Sequence, residues 1–538
     1  MTGGRDASHR AHPVDSGDPR PLATGRRGPW GPALVTCGVG LVGFLLRLLV
    51  PLIGGGLTGR SGNDPGVYYA AADALTHGLL PYHDFATVHP PLLSYLLTPF
   101  ALLGRITTDQ TGLAAAAFAT CLLGGVNAAL VTRVAQRWGC SLLAATLGGL
   151  VYACSYASIT AEHTSRLEPP GNLFLLLALL ALAPASLAAP DLHRPRHPLP
   201  AGLALGAAVS TKIWWAAPAL VLLVVVGFTD RRWPATARWR SLLDRRGAGG
   251  VLAGGFLSAF AINIVPFVVD PSSMFNLVVE HQLDRAEANG TVLDRISGMA
   301  GMDVMHHPPA APVIYTVAIA ALVVIALAAV LAAGTPLGRL VVPLLAIQVI
   351  VIVSAPSWYY YYTDFTAVAI ALTVAAGVAS GRTALPPSLA AGSVLIGLGI
   401  FAMSTTAVHA VVPLDGLEAL EQQASRFRCV TADSPTALIE INALDRSFSP
   451  PCHDWVDVPG LRLGGDGASG FRLIPDQHMS WRRLFGDYLR SGQAAVVGRS
   501  RRLPPEVLQA VRDNGQLIGG VRGYELYRIT NPVALPSP

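Results

Sequence analysis

Long apolar stretches recur along the chain, near 31–53, 112–132, 141–160, 171–189, 199–211, 213–229, 250–269, 311–333, 338–356, 364–381 and 388–406. A hydrocarbon core about 30 Å thick takes about 20 helical residues to cross. These eleven stretches therefore read as membrane-spanning helices, the shortest being the pair on either side of Lys212. Residues 92–104 are apolar but too short to span, and read as a juxtamembrane helix lying at the interface. Beyond residue 406 the period shortens. Alternating segments at Ala494-Ala495-Val496-Val497 and Tyr524-Glu525-Leu526-Tyr527 read as strands, with helical patterns near 480–491 and 504–514. The expected fold is an all-α polytopic membrane domain of about eleven transmembrane helices over 31–406. It is followed by a small C-terminal extracytoplasmic α/β domain over 407–538 and preceded by a disordered cytoplasmic tail over 1–30.

Composition supports this class. Of 538 residues, 52% are hydrophobic and 13% charged, against about 25% charged in soluble domains. Arginine sets the orientation. With a cytoplasmic N-terminus the inner loops hold Arg133, Arg137, Arg194, Arg196, Arg231, Arg232, Arg238, Arg240, Arg245, Arg246, Arg339 and Arg382, a positive-inside bias that the basic segment Arg5 to Arg27 extends. An odd span count then puts the C-terminus outside. The first span reads as an uncleaved anchor. A multi-pass protein of a bacterial plasma membrane is expected, with the bilayer and no nucleic acid as a partner. Cys429 and Cys452 are the only cysteines beyond residue 406, and an oxidising exterior favours a disulfide between them. There is neither a Walker loop nor a dinucleotide fingerprint.

Acidic loop residues gather on the outer side, and the first outer loop is the richest in chemistry. It runs Asn63-Asp64-Pro65-Gly66-Val67-Tyr68-Tyr69, then Pro81-Tyr82-His83-Asp84-Phe85, then His89-Pro90-Pro91-Leu92. A carboxylate at a bilayer edge is costly unless it meets water or a partner, which makes Asp64 a functional candidate. Asp64-Pro65 is equally a helix start, and the two roles are compatible. Glu168, in Arg166-Leu167-Glu168-Pro169, opens the next helix as an acid or enters a site there. Lys212, in Ser210-Thr211-Lys212-Ile213-Trp214-Trp215, is the chain's only lysine and faces either a cavity or, by snorkelling, the interface. His281 and Arg285 share a helix face and could bind phosphate. Trp358 to Tyr362 form an aromatic belt or the wall of a substrate site, represented here by Tyr361.

The order Asp…Tyr-Tyr, Gly-x-x-Pro-Tyr-x-Asp-Phe, then basic-Pro-Pro-Leu resembles the first outer loop of the GT-C glycosyltransferase superfamily. Its nearest resemblance is to the branch holding protein O-mannosyltransferases and lipid A aminoarabinose transferases. The chain departs from that pattern in Pro65, where a second acid is common, and in His89, where a lysine is common. The resemblance implies a polyprenyl-phosphate-linked sugar donor and inverting single displacement onto a glycan, lipid or protein acceptor. Asp64 and Glu168 take the catalytic positions, and His89, Lys212, His281 and Arg285 the donor-phosphate positions. Tyr68, Tyr69, Tyr82, Asp84 and Tyr361 are the candidate substrate contacts. A divalent metal, Mg or Mn, held by Asp64 or Glu168 could share the work, although such sites usually collect more oxygen ligands than the sequence offers. The rival reading is a transporter or flippase, for which internal repeats and an even span count would be expected. Neither is visible.

Overall fold

A computed structural model describes residues 30–53, 56–57, 62–184, 197–228, 246–284, 290–299, 311–381, 392, 416–452, 455–457, 463–465, 471–473, 479–498, 503–521 and 523–534. The tail expected over 1–30 (Trp30 apart), the stretch 388–406 (Gly392 apart) and Arg285 lie outside the described residues. The principal helices before residue 416 are α1 (Trp30–Ile53), α2 (Asn63–Thr76), α3 (Leu92–Ile106), α4 (Asp109–Arg137), α5 (Leu142–Ala153), α6 (Tyr156–Glu162), α7 (Glu168–Ala181), α8 (Pro198–Val209), α9 (Ala216–Phe228), α10 (Arg246–Val269), α11 (Ala311–Ala332), α12 (Gly338–Ser354) and α13 (Asp364–Ala379). Among the described residues four are long and apolar enough to cross a membrane: α1, α4, α10, and α13 with the turn before it. The pair α5 and α6 makes a fifth if one bent span is counted. Others, such as α7, α8 and α12, are apolar but shorter, so the count of eleven is not established by helix length.

Local sequence sets these boundaries. Thr108 caps α4 by accepting from Thr111 N, and Ser141 caps α5 by accepting from Ala144 N, each satisfying an orphan donor of the first turn. The stretch read as one span at 141–160 is instead broken. Ser155 caps α6 on its own account, and the two axes differ by 56°. Small residues let the bundle close. A Cβ at Gly202 would stand 2.1 Å from Val251 O, and one at Gly206 2.3 Å from Gly255 O, so α8 and α10 touch backbone to backbone. Large apolar side chains such as Phe256 and Val268 face outward, 71% and 69% exposed, as a lipid-facing surface requires.

Beyond residue 416 a four-stranded mixed sheet forms from β1 (Val430–Ala432), β4 (Ala494–Gly498), β5 (Gly515–Val521) and β6 (Tyr524–Ile529), in the order β1-β4-β6-β5. β1 runs parallel to β4 and the other pairings are antiparallel. β2 (Leu463–Gly465) and β3 (Phe471–Leu473) make a separate hairpin. Cys429 and Cys452 are joined by a disulfide, Cα to Cα 5.2 Å. This domain sits directly on α2, α3 and α4, sharing one buried cluster that includes Ala70, Leu97, Leu113, Leu438 and Leu444. Thr436 Oγ1 donates to Gly62 O at 2.9 Å, and Asn442 Oδ1 accepts from Asp109 N at 3.0 Å. The domain therefore clasps the helix whose first turn carries Asp64.

Candidate active site

α2 begins at a sharp corner. Gly62 has φ +84°, which a glycine adopts without steric cost, and Asp64 follows in the first turn. Tyr68 lies one turn on, on the same face as Asp64. Burial, then the Asp64 carboxylate, holds the Tyr68 phenol well above its usual range. Tyr361, in the 3-10 turn Tyr360–Thr363 that leads into α13, donates its phenolic hydrogen to Asp64 Oδ2.

Arg166 closes over this pair, its guanidinium carbon 3.5 Å from the centre of the Tyr361 ring. Burial works against its charge, yet the oxygens of Tyr360 and Tyr361 and the carboxylates of Asp64 and Glu168 hold the guanidinium above its ordinary value. Among the described residues its Nη1 is buried without a hydrogen-bond partner, at a cost of about 1–3 kcal/mol.

Lys212 stands in a break between helices. α8 stops at Val209, Lys212 itself is extended (φ −155°, ψ 130°), and a 3-10 turn over Ile213–Trp215 leads into α9. Irregular backbone at this depth is tolerated where protein surrounds it. The ammonium lies 2.8 Å from Glu168 Oε1, both side chains 2% exposed, and 3.6 Å and 3.9 Å from the ring centres of Tyr362 and Trp214. The Tyr361 and Tyr362 rings meet edge to face at 5.0 Å, which joins the lysine pair to the Asp64 pair.

The His89 loop borders the same group. Tyr82 OH donates to His89 O at 2.7 Å, and Leu92 N donates to Ser210 O at 3.2 Å beside Lys212. The His89 ring packs edge-on against Tyr68 at 5.9 Å. Gln282 Nε2 donates to Val88 O at 2.9 Å, which brings the His281 segment to this loop. His281 itself is buried.

Three residues read from the sequence as substrate contacts are placed otherwise. Tyr69 turns into the core between α3 and α4, donating to Phe100 O, because it lies about 100° around the helix from Tyr68. Tyr82 is fully buried and holds the loop from beneath. Asp84 accepts from Leu80 N at 2.7 Å and from His83, at an exposed turn. Glu168 also differs from a free catalytic acid, since Lys212 occupies its Oε1. Arg166 was visible in the sequence only as the start of the Glu168 motif. The sequence offers Glu162 as a lesser candidate acid beside Glu168, without the buried network around it: Glu162 accepts from Arg47 Nε at 2.6 Å, Tyr152 OH at 2.7 Å and Asn127 Nδ2 at 2.8 Å. Asn172 extends this network to Asp364 Oδ2 at 2.9 Å. Arg47, a charge within an apolar stretch, is a second sequence signal of this network.

The donors around Asp64 are a phenol and a guanidinium, and the other candidate acid, Glu168, is bound to Lys212. This set does not fit an Mg or Mn ion, which takes about six oxygen ligands.

No family model matches the chain, and no curated protein matches it. Solved structures do. ArnT from Cupriavidus metallidurans bound to undecaprenyl phosphate superposes with a TM-score of 0.57 at 14% identity, covering 93% of this chain and 98% of that one. Its apo form gives 0.58 at 16% identity, covering 93% and 99%. The arabinofuranosyltransferase AftD from Mycobacteria gives 0.51 at 12% identity, covering 92% of this chain and 40% of that one.

Proposed function

We propose that this membrane-embedded chain, which has the GT-C fold, moves a sugar from a polyprenyl-phosphate donor to an extracytoplasmic hydroxyl acceptor. The observation that carries the reading is the junction of half-buried Asp64 with buried Tyr361 and Arg166, a carboxylate held beside a guanidinium with one unpartnered donor. Transfer needs both groups at once. Asp64 accepts the acceptor's hydroxyl proton as its oxygen bonds to the anomeric carbon. The bond from that carbon to the phosphate oxygen breaks, and its electron pair leaves with the polyprenyl phosphate. The anion is then met by Arg166, with Lys212 and His89 behind it. Single displacement of this kind inverts the anomeric centre. Tyr361 keeps Asp64 aimed, and the Tyr68 and Tyr362 rings offer walls for a sugar or an isoprenoid chain.

In this proposal the shorter apolar helices also cross a bacterial plasma membrane. The N-terminus is cytoplasmic, and the sheet domain over 407–538 covers the site from outside. The acceptor is a cell-wall glycan, lipid or protein, and the sugar a hexose or pentose.

The test uses membranes carrying the full-length chain and a polyprenyl-phosphate sugar. Asp64→Asn should lower transfer by about 10²–10⁴-fold, while the purified variant still binds undecaprenyl phosphate. Arg166→Lys and Lys212→Ala should each weaken that binding, since a lysine does not reproduce the guanidinium fork. Full transfer by both Asp64→Asn and Glu168→Gln would refute the site. A wild-type protein without affinity for the lipid phosphate would refute the donor class.

A further inference from the structure

A cluster of metal-type ligands lies at the end of α2 opposite Asp64. Asp73 and His77 occupy positions i and i+4 of its last turns, a spacing that aims both side chains to one side. They face Asp445, in the short helix Leu444–Ser447 of the sheet domain. One carboxylate oxygen from each aspartate and one imidazole nitrogen all lie within 4.8 Å of one another. His77 Nε2 is 2.9 Å from Asp445 Oδ1 and 4.0 Å from Asp73 Oδ2. Asp73 is 1% exposed, and its Oδ2 has no hydrogen-bond partner among the described residues. Its other oxygen accepts from Thr76 Oγ1 at 3.3 Å, which fixes the carboxylate's orientation. A buried carboxylate oxygen aimed at an imidazole, with nothing to accept from, is what a cation would satisfy.

We infer that Asp73, His77 and Asp445 bind one divalent first-row transition ion of the zinc class, which fastens the end of α2 to the sheet domain. One nitrogen and two carboxylate oxygens suit such an ion better than Mg or Ca, which prefer all-oxygen shells. Bonds of about 2.0–2.2 Å place neighbouring ligands roughly 3.3–3.6 Å apart, within the span these atoms cover. Asp445 is 35% exposed, so water can complete the shell. Arg105 Nε, 3.0 Å from Asp445 Oδ1, either stays as an outer partner of that carboxylate or gives way.

At 1.5 Å per residue the cluster is about 14–20 Å along α2 from Asp64. The ion is therefore structural, and its test is independent of glycosyl transfer. Full-length protein, purified in detergent and stripped by chelator, is titrated with ZnCl2 while bound zinc and melting temperature are measured. Wild type should bind one zinc per chain and melt several degrees higher with it. His77→Ala and Asp445→Asn should each weaken binding at least tenfold and abolish the shift, whereas His83→Ala should change neither. Asp445 is partly exposed, so its variant keeps the test open if His77→Ala fails to fold. Arg105→Ala should retain one zinc. Unchanged zinc binding in both ligand variants, or no stabilisation of wild type by zinc, would overturn the inference and leave an ion-pair contact in its place.

Discussion

Lys212 Nζ stands 2.8 Å from Glu168 Oε1 with both side chains almost wholly buried, so the chain's single lysine forms a buried ion pair with Glu168. Burying such a pair costs desolvation on both sides, and removing one partner costs more because the other charge is left uncompensated. Lys212→Met and Glu168→Gln should therefore each destabilise the protein by about 3–5 kcal/mol. The double variant should recover most of that loss but not transfer. Thermal unfolding in detergent, run beside a transfer assay, separates the two effects. Recovery of transfer along with stability would reduce the pair to packing.

The bond from Tyr361 to Asp64 gives a smaller effect. A hydrogen bond to a charged group contributes about 1.5–3 kcal/mol, so Tyr361→Phe should slow transfer by roughly 10–100-fold. It leaves the ring over which Arg166 sits, so affinity for undecaprenyl phosphate should change little. A large loss of lipid-phosphate binding with unchanged turnover would show that the phenol touches the donor and does not position the base.

How far the sequence could reveal this arrangement depended on whether the partners were local. α1 and α4 were plain as long apolar stretches, and the strands near 494 and 524 as short alternating ones. The bend after Cys154 was hidden because Ser155 sits within an apolar stretch, where a helix cap looks like one more small residue. Asp64 and Lys212 stood out by chemistry, being a carboxylate at an apolar boundary and an isolated lysine. Their neighbours did not. Tyr361 reaches Asp64 across 297 positions, and Arg47 reaches Glu162 across 115. Tyr68 and Tyr69 are adjacent in sequence yet belong to different environments, since one helical step separates the site from the core. No pattern along the chain reports such tertiary pairings.

His163 supplies a pH dependence. Burial, then the neighbouring Arg166 guanidinium, lowers its value from 6.5 to about 4, although the hydrogen bond between Nδ1 and Ile159 O favours the charged form. The folded value lies below the unfolded one, so the neutral ring contributes stability that is full above about 6.5 and lost as pH falls through about 4. The melting temperature should drop between pH 6.5 and 4, and His163→Gln, which cannot charge, should drop less over the same interval. Parallel curves for the two proteins would show that His163 does not carry this dependence.

Gly66 tests the contact between α2 and the sheet domain. A Cβ there would lie 2.1 Å from Thr436 Oγ1 and 2.9 Å from Thr436 Cα, and the backbone atom cannot rotate away. Gly66→Ala must therefore push the segment Pro435–Glu440 off the helix, an overpacking cost of about 1–3 kcal/mol. It also strains the hydrogen bonds from Thr436 to Gly62 O and from Ser434 to Asn63 that hold the start of α2. Asp64 is in that first turn, so transfer should fall together with stability. Adding Thr436→Gly removes the closer clash and should restore part of the stability, but not the hydrogen bond to Gly62, so transfer should stay low. Differential melting and a transfer assay on the two variants distinguish these outcomes. Full transfer by Gly66→Ala, with stability lost, would mean that the sheet domain does not position Asp64.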